Sequence, residues 1–465
     1  MMVSKKSFGI LLVMLGMWLV LFINMPVNLS GGYKSLYITI LIGYLVYTCL
    51  VAVVLSRNAY IFEPIVMVLI LYYFIFFIRP CYDIIINGGI RSSSGTEIYQ
   101  GGIKATVLVL IGTGCMLIGY YHSNRTGFLA SSENITSTIM NRQTVLSFAI
   151  IIWGVSMLFS MVYFLGSGFS ISYVLSAGMS GNTAEAIDTG SLAIFSVFKS
   201  CLITSGLYIT LFSRSRILKF GTFFIGLMVF ISMGGRALTL VYIMTPIVYY
   251  YCSHKKGVSI PVLVLAAVAG VLLCVVMEAT RTGIRAGNGF ELPELTVELI
   301  MSPFDHELTT YKAFYGLVNA LPEKAPYCFG RGIFLYTIVM MVPRGLWPGK
   351  PTPPIYDVIR VSMDQIAVAG GAVYPNIGEF YAEFGVIGVI VLMFVFGRYL
   401  RHLDNLRVCG NARSHALILY AAEYTLLLQV TIRGYTPSNF YQVLLAAIPV
   451  LVISNIAGKN NGKDN

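Results

Sequence analysis

Charge is what this chain has least of. Asp, Glu, Lys and Arg together make up 11% of 465 residues, against roughly 25% in an ordinary soluble domain. Hydrophobic residues make up 57%, and the mean hydropathy is +0.78. A soluble fold cannot cover so much apolar surface with so few charges. Disorder, collagen and coiled coil are excluded on the same grounds. No G-x-x-x-x-G-K-[ST] loop is present, so nothing points to a nucleotide-driven pump. HExxH and CxxC are absent as well, so neither a zinc site nor a redox pair is signalled and no cofactor is expected. No small-residue cleavage site follows the first apolar run, which reads as a retained span rather than a signal peptide.

What is present is a succession of apolar runs, each near the roughly 20 residues needed to cross a membrane. The sequence predicts an all-α polytopic membrane protein with about twelve spans. They are 8–27, 35–55, 60–78, 103–121, 144–165, 190–212, 218–234, 236–252, 259–277, 378–397, 414–432 and 439–458. Three regions follow: a nine-span bundle over 1–277, a large loop over 278–377, and a three-span bundle over 378–465. The excess of 31 basic over 20 acidic residues is read as topology, not as a nucleic-acid surface. With the N-terminus in the cytoplasm, sixteen basic residues fall on inside segments, among them Lys5, Arg142, Arg214, Lys255, Arg401 and Arg407. The short outer loops carry few, so both termini are placed in the cytoplasm. The 278–377 loop is then outside, and loops of that length are usually functional. Its most apolar piece, Ile333–Val342, is too short to cross and is expected at the interface.

The outer face gathers arginines beside apolar helix ends. Arg236 follows Gly234-Gly235, a plausible hairpin turn. Arg281 and Arg285, with Glu278, lie in EATRTGIRAG after the ninth span. Arg344 and Lys350 lie in PRGLWPGKP, and Arg433 in TIRGYTPSNF. A guanidinium offers a rigid fork of donors that matches phosphate. Several on the face where positive charge is normally avoided point to an anionic ligand, such as a pyrophosphate on a lipid carrier. Glu278, His306 and Glu379 are the candidate acid/base groups, with Asp305, Glu307 and Glu383 near them. Glu379 and Glu383 sit four residues apart at the start of the tenth span. Among the loop aromatics, Tyr374 is a candidate for stacking on a sugar ring. Cys81 and Cys328 share the outer face and read as two free thiols or an oxidisable pair. Lys199 and Glu423 lie mid-span at similar depth, a candidate ion pair with proton coupling as its rival.

With those residues in hand, the sequence resembles the Wzy-type O-antigen polymerases, the oligosaccharide repeat-unit polymerase family. The resemblance is carried by GGRA (Gly234–Ala237), EATR after the ninth span, PRGLWPGKP (Pro343–Pro351) and GGAVYPNIGEFYAEFGVIG leading into the tenth span. It is carried too by the layout of about twelve spans and one large outer loop. It implies a glycosyltransferase of the inner membrane, active on the periplasmic side on undecaprenyl-pyrophosphate-linked glycans. It also implies a Wzz-type chain-length regulator as partner and a likeness to metal-independent C-type glycosyltransferases. The first outer loop, NLSGGYK, lacks the acidic residues that metal-dependent relatives place there. On that implication Arg236, Arg281, Arg285 and Arg433 hold the donor pyrophosphate, and Arg344 and Lys350 the second one. The alternatives are an O-antigen ligase and a flippase or exporter. Ligase-like sequences carry their histidine late in the loop, whereas His306 is early. An exporter rarely needs a loop of about 100 residues on one side.

Overall fold

The computed structural model describes residues 5–57, 59–91, 97–122, 141–165, 192–232, 236–254, 268–273, 275–276, 308–342, 346–355, 357–358, 374–411 and 413–461, with single residues at 261, 265 and 296. Among them the fold is helical, apart from one isolated bridge between Arg91 and Glu97. The helices are α1 (Lys5–Ile23), α2 (Gly31–Leu55), α3 (Pro64–Ile86), α4 (Tyr99–His122), α5 (Arg142–Leu165), α6 (Cys201–Phe212), α7 (Arg216–Ser232), α8 (Arg236–Ser253), α9 (Thr310–Ala320), α10 (Arg331–Met340), α11 (Asn376–Cys409), α12 (His415–Ile432) and α13 (Thr436–Asn461). Seven are long and apolar enough to cross a membrane: α2, α3, α4, α5, α11, α12 and α13. The chain is thus a multi-pass membrane protein. Shorter apolar helices lie at Phe8–Ile23, Val197–Phe212 and Ala237–Ser253, on three more of the expected runs. The turn at Gly234-Gly235 lies outside the described residues.

Local sequence explains where these helices begin and bend. Pro64 opens α3, where a missing N–H costs nothing. The same helix widens into a π turn at Phe74–Ile78, just before Pro80, which has no N–H to return to the preceding turn. Ser414 caps α12 by accepting from the Leu417 amide at 3.3 Å. Helix α11 is broken at Phe384 (φ −139°) and Gly385 (φ +63°, ψ −141°). That left-handed conformation suits glycine, and a Cβ at 385 would also press on the Tyr327 ring at 3.0 Å.

The seam of the molecule is α4 against α11. Ala105, Gly112 and Gly119 recur every seven residues on α4. A Cβ at Gly119 would collide with the Phe394 carbonyl, and one at Gly397 with the Met116 carbonyl. Small residues let the two backbones touch where no hydrophobic force drives helices together. Around this seam one core joins α2, α3, α4, α9 and the start of α11, with Leu36, Ile65, Phe77, Phe314 and Ile377 fully buried. Two further clusters pack α5, α6, α8 and α13 around α12, the most enclosed span.

Helix α9, from the long loop, is pinned to the end of α3 by Asp83. That buried carboxylate accepts from Arg79 at 3.1 Å, from Asn87 at 2.8 Å and from the Tyr311 hydroxyl, and pairs with Lys312 at 3.3 Å. A buried charge persists only where it is paired and hydrogen-bonded this fully. Two readings that the sequence left open are decided here. Lys199 and Glu423 form no ion pair among the described residues; Glu423 instead lies close to Tyr399. Their similar depth does not place them on facing sides of helices. Cys81 and Cys328 are free, buried thiols. Burial, and after it the nearby Glu383 carboxylate, pushes the Cys328 thiol up to about 12, so it stays protonated and inert.

Candidate functional site

The start of α11 organises the site. The residue before it, Pro375, favours an extended entry, and Asn376 receives the Tyr72 hydroxyl at 2.6 Å. The first two turns then present Glu379 and Glu383 on one face. Both are buried, at 2% and 0% exposure. Neither carboxylate faces a guanidinium in an ion pair among the described residues; each caps the start of a different helix.

Glu379 holds the start of α13. Its Oε1 accepts from the Thr436 amide at 2.8 Å; its Oε2 accepts from the same amide at 2.9 Å and from the Thr436 hydroxyl at 2.6 Å. Glu383 holds the start of α10. Its Oε2 accepts from the Gly330 amide at 2.7 Å and its Oε1 from the Ile333 amide at 2.9 Å. The first amides of a helix have no partner within it and carry partial positive charge, so a carboxylate is the preferred neighbour. A Cβ at Gly332 would run into the Glu383 carboxylate, which explains the glycine in CFGRG. Two backbone bonds continue the contact, from Cys328 N–H to the Ala382 carbonyl and from Phe329 N–H to that of Glu383, both 2.9 Å.

Both capped junctions hold strained backbone. Tyr435, immediately before Thr436, has φ +67°, and Phe329, immediately before Gly330, has φ +50°. Bulky residues in that region cost on the order of 1–3 kcal/mol each and cluster at functional sites. Charge-assisted hydrogen bonds that the two glutamates accept offset that cost.

The turn between α12 and α13 is built with equal care. The Gly434 amide donates to the Tyr374 carbonyl at 2.6 Å, and the Tyr374 ring is buried beneath Gly434, where a Cβ would approach it to 2.9 Å. Asn439 reaches back to donate to the carbonyls of Arg433 (2.9 Å) and Gly434 (2.8 Å). Lys350 closes the other end of α10, donating to the carbonyls of Met340 (3.1 Å) and Val342 (2.9 Å), with Nζ over the Tyr336 ring. Tyr336 in turn meets Tyr435, ring to ring, at 6.5 Å. Helix α10 thus has a carboxylate at its N-terminus and an ammonium at its C-terminus, matching its dipole.

Two residues chosen from the sequence, Tyr374 and Glu379, therefore hold the 433–436 turn that carries Arg433, and Lys350 caps the far end of α10, which meets that turn through Tyr336 and Tyr435. For Arg236 the structure describes the helix start but not the side chain. Glu278, Arg281, Arg285, His306 and Arg344 lie outside the described residues. The sequence reading missed the capping role of Glu383 and the Asp83–Lys312 anchor. The Gly330 and Gly332 pair in CFGRG was the available signal for the first. Among the described residues no three His, Cys, Asp or Glu side chains gather into a metal-binding group.

The O-antigen polysaccharide polymerase Wzy family model matches residues 8–461, nearly the whole chain, so the chain belongs to that family of polymerases. No curated protein and no solved structure matches it.

Proposed function

We propose, from membership of this family, that the chain polymerises undecaprenyl-pyrophosphate-linked repeat units at the periplasmic face of the inner membrane. The observation that carries the reading is the family match over 8–461, with Tyr374 and Glu379 at the start of α11 holding the turn that carries Arg433 in support. In the proposed topology that end is periplasmic, and both termini are cytoplasmic. All twelve apolar runs cross the membrane, with 278–377 as the outer loop.

The reaction moves the growing chain from its carrier to a new lipid-linked unit. The acceptor sugar hydroxyl attacks the anomeric carbon of the donor. A C–O bond forms there, the bond to the donor pyrophosphate breaks, and the hydroxyl proton passes to a base. Arg236, Arg281, Arg285 and Arg433 hold the leaving pyrophosphate and stabilise its developing charge. Arg344 and Lys350 serve the acceptor's pyrophosphate. No covalent enzyme intermediate is needed. Both Glu379 oxygens already accept from Thr436. Its role is therefore to position the turn that carries Arg433, with Tyr374 as the floor of that turn. Proton removal falls to His306 or Glu278. A Wzz-type chain-length regulator is the expected partner.

Purified protein in lipid nanodiscs, supplied with undecaprenyl-pyrophosphate-linked repeat units, should convert single units into a ladder and release undecaprenyl pyrophosphate. Arg281→Ala should stop ladder formation with protein level unchanged. Normal ladders from that variant would remove Arg281 from the site, and no ladder from the wild type would refute the polymerase reading.

A further inference from the structure

At the end of the bundle opposite the Arg433 turn, α2 and α4 finish side by side. Arg57, just past the last turn of α2, lies over the Tyr121 ring of α4 at 4.0 Å. Its amide donates to the Val54 carbonyl at 3.1 Å, which fixes where the side chain starts. A guanidinium held over a ring is oriented and still has N–H groups to donate. The charges around it do not balance. Arg401 and Arg407 are taken up by Asp404 and Glu63. Arg57 is exposed and pairs with no carboxylate among the described residues. The positive charge in excess at this corner is therefore its own, and Arg401 also lies close enough to act on Tyr121.

Tyr121 ends an apolar stripe on α4. Val107, Ile111, Gly114 and Ile118 follow one another at helical spacing on a single face. Val107 and Ile118 are 46% and 61% exposed, and a Cβ on Gly114 would meet nothing within 4 Å. The flanks of α4 are covered, by α2 where Thr106 meets Gly43 and by α11 where Gly119 meets Phe394. The open stripe between them is the part of this spanning helix left to lipid. On α2, Val46 and Val53 are both 45% exposed on the turns that lead to Arg57. A ligand that fits this corner has an anionic head at Arg57 and an apolar body along α4.

We propose that the Arg57–Tyr121 corner seats the phosphodiester headgroup of an anionic membrane phospholipid, with an acyl chain along the exposed stripe of α4. In the proposed topology that lipid belongs to the cytoplasmic leaflet, where basic residues near the surface attract anionic lipid. Phosphate oxygens accept from the guanidinium that no carboxylate takes up. The headgroup also bridges the ends of α2 and α4 beside the Asp404 ion pairs. It therefore stabilises the bundle as any ligand of the native state does. The proposal is independent of the polymerase reading, since a chain that extends nothing would bind the lipid equally.

The test uses the full chain in a neutral detergent, titrated with phosphatidylglycerol or with phosphatidylcholine of the same acyl chains. Native mass spectrometry counts retained lipid, and the thermal midpoint is read in parallel. The wild type should retain phosphatidylglycerol roughly tenfold better, the worth of one charge-assisted hydrogen bond, and only that lipid should raise the midpoint. Arg57→Gln should lose both the preference and the rise. Arg57→Lys, which keeps the charge without the fork of donors, should keep part of each. Arg216→Gln, which removes an exposed cation at the start of α7, should change neither. Equal retention of the two lipids by the wild type, or an undiminished preference in Arg57→Gln, would overturn the proposal. So would an equal loss in Arg216→Gln, which would make the preference an effect of net charge. Inorganic phosphate is added alone as the last arm. A full rise in midpoint from it, absent in Arg57→Gln, would make the corner a free-phosphate site and overturn the lipid assignment; no rise supports the lipid.

Discussion

The two ends of α11 use buried carboxylates in opposite ways. At its C-terminal end, Asp404 pairs with Arg401 at 3.1 Å and Arg407 at 2.6 Å, and Arg407 also reaches Glu63 at 3.5 Å. Each guanidinium there lies over a tyrosine ring: Arg57 on Tyr121, Arg401 on Tyr120 and Arg407 on Tyr60. Charge is matched by charge, and the result is a lock between the 57–63 turn and the end of α11. At the N-terminal end, Glu379 and Glu383 meet backbone amides instead. They set the course of the chain through two strained junctions. The first arrangement holds a bundle together. The second fixes where two helices start.

Substitutions at four residues sharpen or break that contrast. Glu383→Ala has the largest expected effect. It leaves the Gly330 and Ile333 amides without an acceptor, at a cost of roughly 1–3 kcal/mol for each. Ladders should vanish and the thermal midpoint in detergent should fall, while Glu383→Gln, which keeps one acceptor oxygen, should retain part of both. Next comes Glu379. Glu379→Ala should reduce extension more than a hundredfold, and Glu379→Gln, still able to accept from Thr436, should stay within about tenfold of wild type. Equal loss in the two variants would instead make Glu379 the proton acceptor. Arg407→Ala, at the other end, should lower stability by up to about 3 kcal/mol by leaving buried acids underpaired. Extension per folded molecule should not change; a specific loss of activity would mean the two ends are coupled.

The smallest effect concerns pH. Burial, more than anything else, raises the Glu63 carboxyl above its ordinary 4.5; Asp404 adds to this, and the Tyr60 amide, Arg407 and Arg401 partly offset it. The folded state therefore binds this proton more tightly than the unfolded chain. Its contribution to stability is complete below the ordinary glutamate value and is lost as pH rises through the raised one. Glu63→Gln should flatten that part of the curve of thermal midpoint against pH. An unchanged slope would show that Glu63 does not titrate in that window.

The fold was legible because apolar runs in so uncharged a chain leave few choices. The expected 378–397 span opens two residues earlier, at Asn376, directly after Pro375, whose own backbone is extended (φ −71°, ψ 158°). It continues to Cys409 because Arg401, Asp404 and Arg407, three residues apart, make a polar helical face beyond the apolar run. The pairing of Glu379 with Glu383 was visible as an i, i+4 spacing, and Arg433, Lys350 and Tyr374 were visible as charged or aromatic groups at helix ends. Their partners were not. Thr436 and Gly330 lie 57 and 53 residues from the glutamates they bind. Asp83 and Tyr311 are separated by 228. Such contacts are fixed by tertiary packing, and local pattern carries no trace of them. Lys199 and Glu423 show the converse, since equal depth along two helices says nothing about which sides face.

The most direct test of the central claim is to delete the gene and resolve the cell's lipopolysaccharide on a gel. A polymerase predicts a core carrying a single repeat unit, with the ladder restored by the wild-type gene. Loss of every repeat unit would contradict the account, because it would place the defect in ligation or export.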